Sequence, residues 1–222
     1  MEGEEAHHLG RVLRAERGQL YELSDGYRVC LARIEEVKRD SIRFSLVEEL
    51  PTYQPALQTT LLLSVVKFDS FEWALEKATE LCVSTIVPIA AARSEKALLA
   101  AAPKRAERWK KILLEASQQS RRLRIPLLRE LAKSGGVFSA QHEGLALMLS
   151  EREGALALRK AIAGKKESHV TLAIGPEGGW TDQEFGAAQS AGFQQVSLGR
   201  LILRTETAVA AALASLNFAL GD

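Results

Sequence analysis

Apolar residues change their spacing along the chain, and this change divides the sequence into two regions. Between residues 20 and 50 apolar and polar residues alternate, as in Ile42-Arg43-Phe44-Ser45-Leu46, and turn residues interrupt the pattern at Asp25-Gly26 and at 38–40. Alternation between turns is typical of antiparallel strands in a meander or a small barrel, and an Asp-Gly pair suits a tight hairpin. We therefore expect a small β domain over residues 1–52, with a short helix or turn at 7–14.

Beyond a short linker that contains two prolines, continuous apolar runs alternate with helix-like patterns. Continuous runs are typical of strands buried on both faces, and they lie at 60–66, 84–89, 145–150, 170–174 and 196–198. Helices are expected at 71–81, 155–163 and 208–220, and Pro103 is expected to open a long helix that ends before Pro126. This order predicts an α/β domain over residues 55–222, with a mostly parallel sheet and helices on both faces.

Two of the predicted strands end in loops that contain glycine. Ile174 is followed by Gly175-Pro176-Glu177-Gly178-Gly179, and Leu198 is followed by Gly199. Thr181 and Glu184 have the spacing of a capping box, so the first loop leads into a helix N-terminus. Strand ends of this kind are typical of a small-ligand site in an α/β fold. Neither loop has a dinucleotide or P-loop pattern, which argues against those two cofactor classes.

Composition and cysteine usage indicate the cellular compartment in which the protein is expected. The 222 residues are 46 % hydrophobic and carry a net charge of +1, as expected for a globular protein. No apolar run reaches the roughly 20 residues of a membrane helix, and the acidic N-terminus does not resemble a signal peptide. Cys30 and Cys82 stand apart, without metal-ligand spacing. We expect a cytoplasmic protein with no metal site and no membrane partner.

The small net charge conceals a basic segment at 103–126. It contains eight basic and two acidic residues, a net charge of +6. A local surplus on a nearly neutral protein indicates contact with a polyanion such as RNA, although a solvated helix face would have the same composition. The predicted RNA-binding residues are Lys104, Arg105, Arg108, Lys111, Arg121, Arg122 and Arg124, together with Arg11 and Arg14 near the N-terminus.

The C-terminal motifs carry a family resemblance. IGPEGGWTDQEF followed by LGRLILRTETA resembles the RsmE family within the SPOUT class of methyltransferases, and the resemblance extends upstream through FEWALEKATELCVSTIVPI, RSE at 93–95, EASQQSRRLRIP and AHHLGRVLR. The family methylates N3 of one uridine in 16S ribosomal RNA of the small ribosomal subunit. The resemblance implies a PUA-like N-terminal β-barrel, a trefoil knot within about residues 145–222, S-adenosylmethionine as the cofactor and a homodimer.

Carried onto this sequence, the resemblance implies three cofactor-binding loops. Their residues are Leu149, Ser150, Ile174, Gly175, Pro176, Glu177, Gly178, Gly179, Leu198, Gly199, Leu201, Leu203, Arg204 and Thr207. We further hypothesise that Arg204 stabilises the negative charge on the uracil during methyl transfer, and that Glu206 orients Arg204 or accepts the proton.

Three alternatives remain open at this point. The first is an α/β enzyme of another class, such as a nucleotide-dependent hydrolase or reductase, which lacks support because the phosphate motifs are missing. The second is an RNA-binding module that does not catalyse a reaction. The third is a SPOUT methyltransferase that acts on a ribose 2′-hydroxyl or on tRNA.

Overall fold

A computed structural model of the protein describes residues 1–221. The chain forms two compact units, Met1–Gln54 and Pro55–Asp222. None of the helices among the described residues has the length and apolar character needed to cross a membrane.

The first unit is a three-stranded antiparallel meander preceded by helical turns. Its elements are α1 (Glu4–His7), a π-helix (His8–Val12), β1 (Leu20–Ser24), β2 (Val29–Val37) and β3 (Ile42–Leu50). The strand order is β1-β2-β3, so the alternating pattern predicted the strands and their neighbours. Within the described residues the sheet stays open, since three strands are too few to close a barrel.

The core of the first unit lies under the helical turns. Ile34 and Ile42 are buried beside Ala6 and Leu9. At the hairpin, one carboxylate oxygen of Asp25 accepts hydrogen bonds from the backbone N–H groups of Tyr27 and Arg28, each at 2.9 Å. The acidic side chain therefore closes the turn that the Asp-Gly pair predicted.

The second unit is built on one parallel sheet. Its strands are β4 (Gln58–Ser64), β5 (Thr85–Ala90), β6 (Leu127–Leu128), β7 (Ala132–Lys133), β8 (Leu145–Leu149), β9 (Leu156–Ala157), β10 (His169–Ile174) and β11 (Gln194–Ser197). The order is β6-β5-β4-β10-β8-β11-β9, with β7 also paired to β5, and every pairing is parallel. The expected α/β fold with a mostly parallel sheet is confirmed.

Helices cover both faces of this sheet. They are α2 (Phe68–Glu80), α3 (Lys96–Gln119), α4 (Ser134–Phe138), α5 (Leu158–Ala161), α6 (Asp182–Ser190) and α7 (Thr205–Leu220). Leu61 and Leu63 of β4 pack with the apolar residues of α2, α3 and α7, whereas Leu62 packs on the opposite face with Phe138 and Phe185. Burial on both faces is the reason that the strand reads as a continuous apolar run.

Two helix predictions were wrong in their bounds. Helix α3 begins at Lys96, so Pro103 lies inside it rather than at its start. The preceding residues are mostly alanine and leucine, which favour helix strongly enough to extend it upstream despite the missing proline N–H. The helix expected at 155–163 is instead β9 followed by the four-residue α5, because Leu156 and Ala157 pair with the edge of β11.

Candidate active site

Three neighbouring strands end at the same edge of the sheet. Strand β8 lies between β10 and β11, and all three are parallel. Their last residues are Ile174, Leu149 and Ser197. The carboxyl ends of parallel strands are where α/β folds bind ligands, so the loops after these residues are brought together.

These loops surround a cleft of about 720 Å³, within the range of about 300–1,000 Å³ that small-molecule sites occupy. All the predicted cofactor-binding residues except Thr207 line it. Thr207 lies on the exposed side of α7, while Thr205 and Ala208 face the cleft. Thr207 therefore stays a predicted cofactor contact that the lining of the cleft does not include.

The loop after β10 depends on its glycines. Gly179 has φ +68°, a conformation that favours glycine, and its N–H donates to the carbonyl of Pro176 at 2.8 Å. A Cβ on Gly175 would lie 3.0 Å from Nε1 of Trp180, and a Cβ on Gly178 would lie 3.3 Å from Cβ of Arg93. The loop can therefore lie close to its neighbours only because side chains are missing at these positions.

Glu184 holds this loop against the loop that follows β5. The capping box is present as predicted: Glu184 N–H donates to Thr181 Oγ1 at 3.3 Å, and Thr181 N–H donates to Glu184 Oε2 at 2.9 Å. Oε1 of Glu184 accepts a hydrogen bond from Ala92 N–H at 2.8 Å. Burial raises the pKa of the carboxyl, but hydrogen bonds from Thr181, Ala92 and Ser134 outweigh burial, and the net pKa is lowered.

Arg93 reinforces the same connection. Its Nη1 donates to the carbonyl of Gly178 at 2.8 Å and to that of Trp180 at 3.4 Å, and the side chain lines the cleft. The resemblance included Arg93 within an upstream motif, but no site role was predicted for it. Arg93 follows the end of β5, which lies two strands from β10 in the sheet, and this position after a strand end is the sequence signal that could have indicated a site role.

The loop after β11 forms the third wall. Gly199 has φ +142°, and Leu201 is 83 % exposed although it lines the cleft. The hydroxyl of Thr205 donates to the carbonyl of Gly175 at 3.3 Å. This bond joins the start of α7 to the glycine loop, so the two predicted motifs meet in space.

Arg204 and Glu206 differ in their relation to the cleft. Arg204 lines the cleft and is exposed, and its carbonyl accepts the N–H of Ala208 at 2.9 Å as α7 begins. Glu206 lies in the first turn of α7 outside the lining. Within residues 1–221 the two side chains do not form an ion pair with each other.

Further lining residues were not predicted as site residues. Besides Arg93, they are Glu151, Arg152, Trp180, Phe185, Val196, Ser197, Arg200, Ile202, Thr205 and Ala208. Arg152 is the most constrained of the charged ones: its guanidinium carbon lies 3.7 Å from the ring centroid of Phe185, and Nη2 pairs with Asp182. Among the described residues, no cluster of His, Cys, Asp or Glu has the arrangement of a metal site.

The basic segment is less uniform than its composition suggests. Glu72, whose side chain is only 9 % exposed, pairs with Arg105 at 3.3 Å and with Arg108 at 2.8 Å. Arg122 donates to the carbonyl of Thr79 at 2.8 Å, and burial lowers its pKa. These arginines make intramolecular contacts beside α2, and their predicted RNA contacts remain predictions.

The remaining predicted RNA contacts are exposed. Lys104, Lys111, Arg121 and Arg124 belong to the second unit, and Lys111 lies 3.8 Å from Glu115. Arg11 and Arg14 belong to the first unit, where Arg14 has φ +50°.

Comparison with known proteins gives the class. The family model described as an RNA methyltransferase domain matches residues 53–217. A curated relative from Synechocystis, ribosomal RNA small subunit methyltransferase E, is 34 % identical over 219 residues, which cover 95 % of this chain and 70 % of the relative. The protein of the same name from Aquifex aeolicus is 33 % identical, and the match covers 94 % of this chain and 88 % of that relative. The chain therefore belongs to the family of ribosomal RNA small subunit methyltransferases E, as the resemblance indicated.

Solved structures agree with this assignment. The ribosomal RNA small subunit methyltransferase E from Neisseria gonorrhoeae, bound to S-adenosylmethionine, matches with a TM-score of 0.90 and 31 % identity. The match covers all of this chain and 92 % of the Neisseria chain. A methyltransferase from Legionella pneumophila, in complex with S-adenosylmethionine, matches with a TM-score of 0.88 and 31 % identity. This match covers all of this chain and 92 % of the Legionella chain.

Proposed function

We propose that this protein transfers the methyl group of S-adenosylmethionine to N3 of a uridine in 16S ribosomal RNA of the small ribosomal subunit. The observation that carries the proposal is the cleft at the ends of β10, β8 and β11, because the GPEGG motif and residues 198–205 line it together. The names of the relatives support the RNA substrate, and the ligands of the solved structures support the cofactor.

The proposed cofactor-binding site would consist largely of backbone groups. The loops 174–179 and 198–204 supply peptide groups and little side-chain bulk, which suits close approach to an adenosyl ligand. We further propose that the segment from about residue 145 to 222 is threaded into the trefoil knot that the family resemblance implies.

The chemistry requires positioning and the removal of one proton. Bound S-adenosylmethionine supplies a methyl group that is already activated on a sulfonium. The N3–H of uracil loses its proton, and the N3 electron pair forms the bond to the methyl carbon, while the electrons of the sulfur–methyl bond stay on sulfur. Orientation for in-line attack is the main contribution of the cleft.

We further propose that Arg204 has the catalytic role that was hypothesised from the sequence. Loss of the N3 proton leaves negative charge on the two flanking carbonyl oxygens, and a guanidinium nearby stabilises that charge as it develops. Arg204 lines the cleft and makes no ion pair within the described residues, so its charge is available to the substrate. Glu206, in the first turn of α7, would orient Arg204 or accept the proton.

The RNA would be held by exposed basic side chains. Lys104, Lys111, Arg121 and Arg124 remain in the proposed phosphate-binding surface, and Arg11 and Arg14 add basic charge from the first unit. The target base must leave its stack to reach the cleft, as in other enzymes that modify bases.

We propose a homodimer that forms through α7. Phe218 on this helix is 94 % exposed, and Leu201 and Ile202 before it are also exposed. A solvent-exposed phenylalanine beside small residues on one helix is typical of a surface that associates. A cytoplasmic location would give the enzyme access to its ribosomal substrate.

The proposal is tested with purified protein, S-adenosylmethionine carrying a labelled methyl group, and small ribosomal subunits from cells that lack this modification. We expect saturable cofactor binding by calorimetry and transfer of label to 16S RNA. Cofactor binding without transfer to any RNA would indicate that the chain is not a methyltransferase of this substrate class. Absence of cofactor binding would leave an RNA-binding module as the better description.

A further inference from the structure

Arg152 is a fixed, flat cation at the edge of the cleft. It follows the end of β8 by three residues, and its N–H donates to Oγ of Ser150 at 3.1 Å. Its guanidinium carbon lies 3.7 Å from the ring centroid of Phe185, and Nη2 pairs with Asp182 in the first turn of α6. The guanidinium thus contacts an aromatic ring and a carboxylate, and these two contacts restrain its orientation.

The Arg152 side chain remains partly accessible to a ligand. The side chain is 42 % exposed and lines the cleft. By contrast, Arg204 in the same cleft is exposed and makes no ion pair among the described residues. Of these two arginines, Arg152 is the one whose orientation is set before any ligand binds, and preorganised groups lose less entropy on binding.

We propose that Arg152 positions the target base, which stacks on the open face of the guanidinium opposite Phe185. This inference rests on the proposed methyl transfer to uracil. Arginine planes are common stacking partners for unpaired RNA bases, and a guanidinium held between a phenylalanine ring and a base would fix the tilt of N3.

Charge favours the base over the reacting centre of the cofactor as the partner of Arg152. The sulfonium of S-adenosylmethionine is positive and would be repelled by a nearby guanidinium. The uracil, in contrast, becomes negative as N3 loses its proton. A cation that contacts the base therefore stabilises the transferring state in addition to orienting the ring.

The test compares Arg152→Lys, which keeps the charge but not the plane, with Arg152→Met, which removes both. Arg129→Met is the matched control, because Arg129 is exposed and lies outside the cleft lining. We measure kcat on small ribosomal subunits, cofactor affinity by calorimetry, affinity for the subunit, and the unfolding midpoint.

We expect kcat to fall by about tenfold in both Arg152 variants, as expected for the loss of one stacking contact to a base. Cofactor affinity and subunit affinity should stay within about twofold of the wild type, and the unfolding midpoint within about one degree. Subunit affinity changes little because the remaining RNA contacts dominate binding. Arg129→Met should behave as the wild type. Asp182→Asn weakens the ion pair that restrains the Arg152 guanidinium, and the Asp182 side chain is 93 % exposed. This variant should lower kcat by about threefold.

Several results would overturn the inference. Full turnover by Arg152→Lys would mean that a point charge suffices and stacking is not used. Weaker cofactor binding by Arg152→Met would assign the residue to the cofactor instead. If the wild type labels uracil N3 and all Arg152 variants keep its kcat, only this inference fails. If the wild type itself labels no uracil, the proposed function fails and this inference falls with it.

Discussion

Replacing Glu184 by glutamine removes a charge that holds two walls of the cleft together. The carboxylate is 5 % exposed and accepts hydrogen bonds from the N–H of Ala92 at 2.8 Å, and from the N–H and hydroxyl of Thr181 at 2.9 Å each. A glutamine side chain has one acceptor oxygen in place of two. Either orientation of the amide turns its NH₂ toward a backbone N–H that then lacks an acceptor.

The magnitude follows from those contacts. A buried donor left without a partner costs about 1–3 kcal/mol, and hydrogen bonds to a charged group contribute about 1.5–3 kcal/mol. We therefore expect Glu184→Gln to lower the free energy of unfolding of the second unit by about 2–4 kcal/mol. Cofactor binding should weaken as well, since Thr181 follows directly on the glycine loop.

Denaturant unfolding followed by tryptophan fluorescence measures this loss, because Trp73, Trp109 and Trp180 all belong to the second unit. Glu177→Gln is the matched control: Glu177 is exposed on the same loop, and its substitution should change stability by less than about 0.5 kcal/mol. Equal stability of Glu184→Gln and the wild type at neutral pH would refute the assigned role.

The pH dependence provides a second check on the same residue. The folded-state pKa of Glu184 lies below its ordinary value of 4.5, so its contribution to stability is complete above that value and is lost as pH falls through the folded-state pKa. The stability difference between wild type and Glu184→Gln should be constant above about pH 5 and shrink in more acidic solution. A difference that grows on acidification would contradict this sign.

Three further predictions concern catalysis, RNA binding and assembly. Arg204→Lys should lower kcat by about 10²–10³ with cofactor affinity unchanged, since one donor to the developing oxyanion is lost; near-normal turnover in a single-turnover assay would remove Arg204 from the catalytic role. Joint reversal of Lys104, Lys111 and Arg124 to glutamate should weaken RNA binding and reduce the slope of log affinity against log salt by about 3; an unchanged slope would exclude these three residues from the interface. Phe218→Glu should shift the protein from dimer to monomer in sedimentation, and a wild type that sediments as a monomer at micromolar concentration would exclude the proposed association.

The fold was largely predictable where local pattern and burial agree. Leu61, Leu62 and Leu63 form a continuous apolar run because helices cover both faces of β4, and that run predicted a buried strand. The capping box of Thr181 and Glu184 was also predictable, since it depends on residues three apart. The failures at Pro103 and at 155–163 arose where neighbouring residues decided the outcome, through helix formers before the proline and through pairing of Leu156 with Val196.

The site was predictable as far as its motifs extend along the chain. The glycine loops and Arg204 lie next to strand ends, so their convergence followed from a parallel sheet. The positions of Arg93 and Arg152 depended on the order β10-β8-β11 and on the placement of α6, which local pattern does not encode. The composition of the basic segment also did not indicate that the guanidinium of Arg122 donates to the carbonyl of Thr79.

The central claim is tested most directly by identifying the nucleoside that this protein produces. Small ribosomal subunits that lack the modification are incubated with the wild-type protein and S-adenosylmethionine, and the 16S RNA is digested to nucleosides and analysed by mass spectrometry against standards. We predict one new product, 3-methyluridine, in an amount approaching one per subunit, and much slower formation with Arg204→Lys. A methyl group on a ribose 2′-hydroxyl, or on a base other than uracil, would contradict the account.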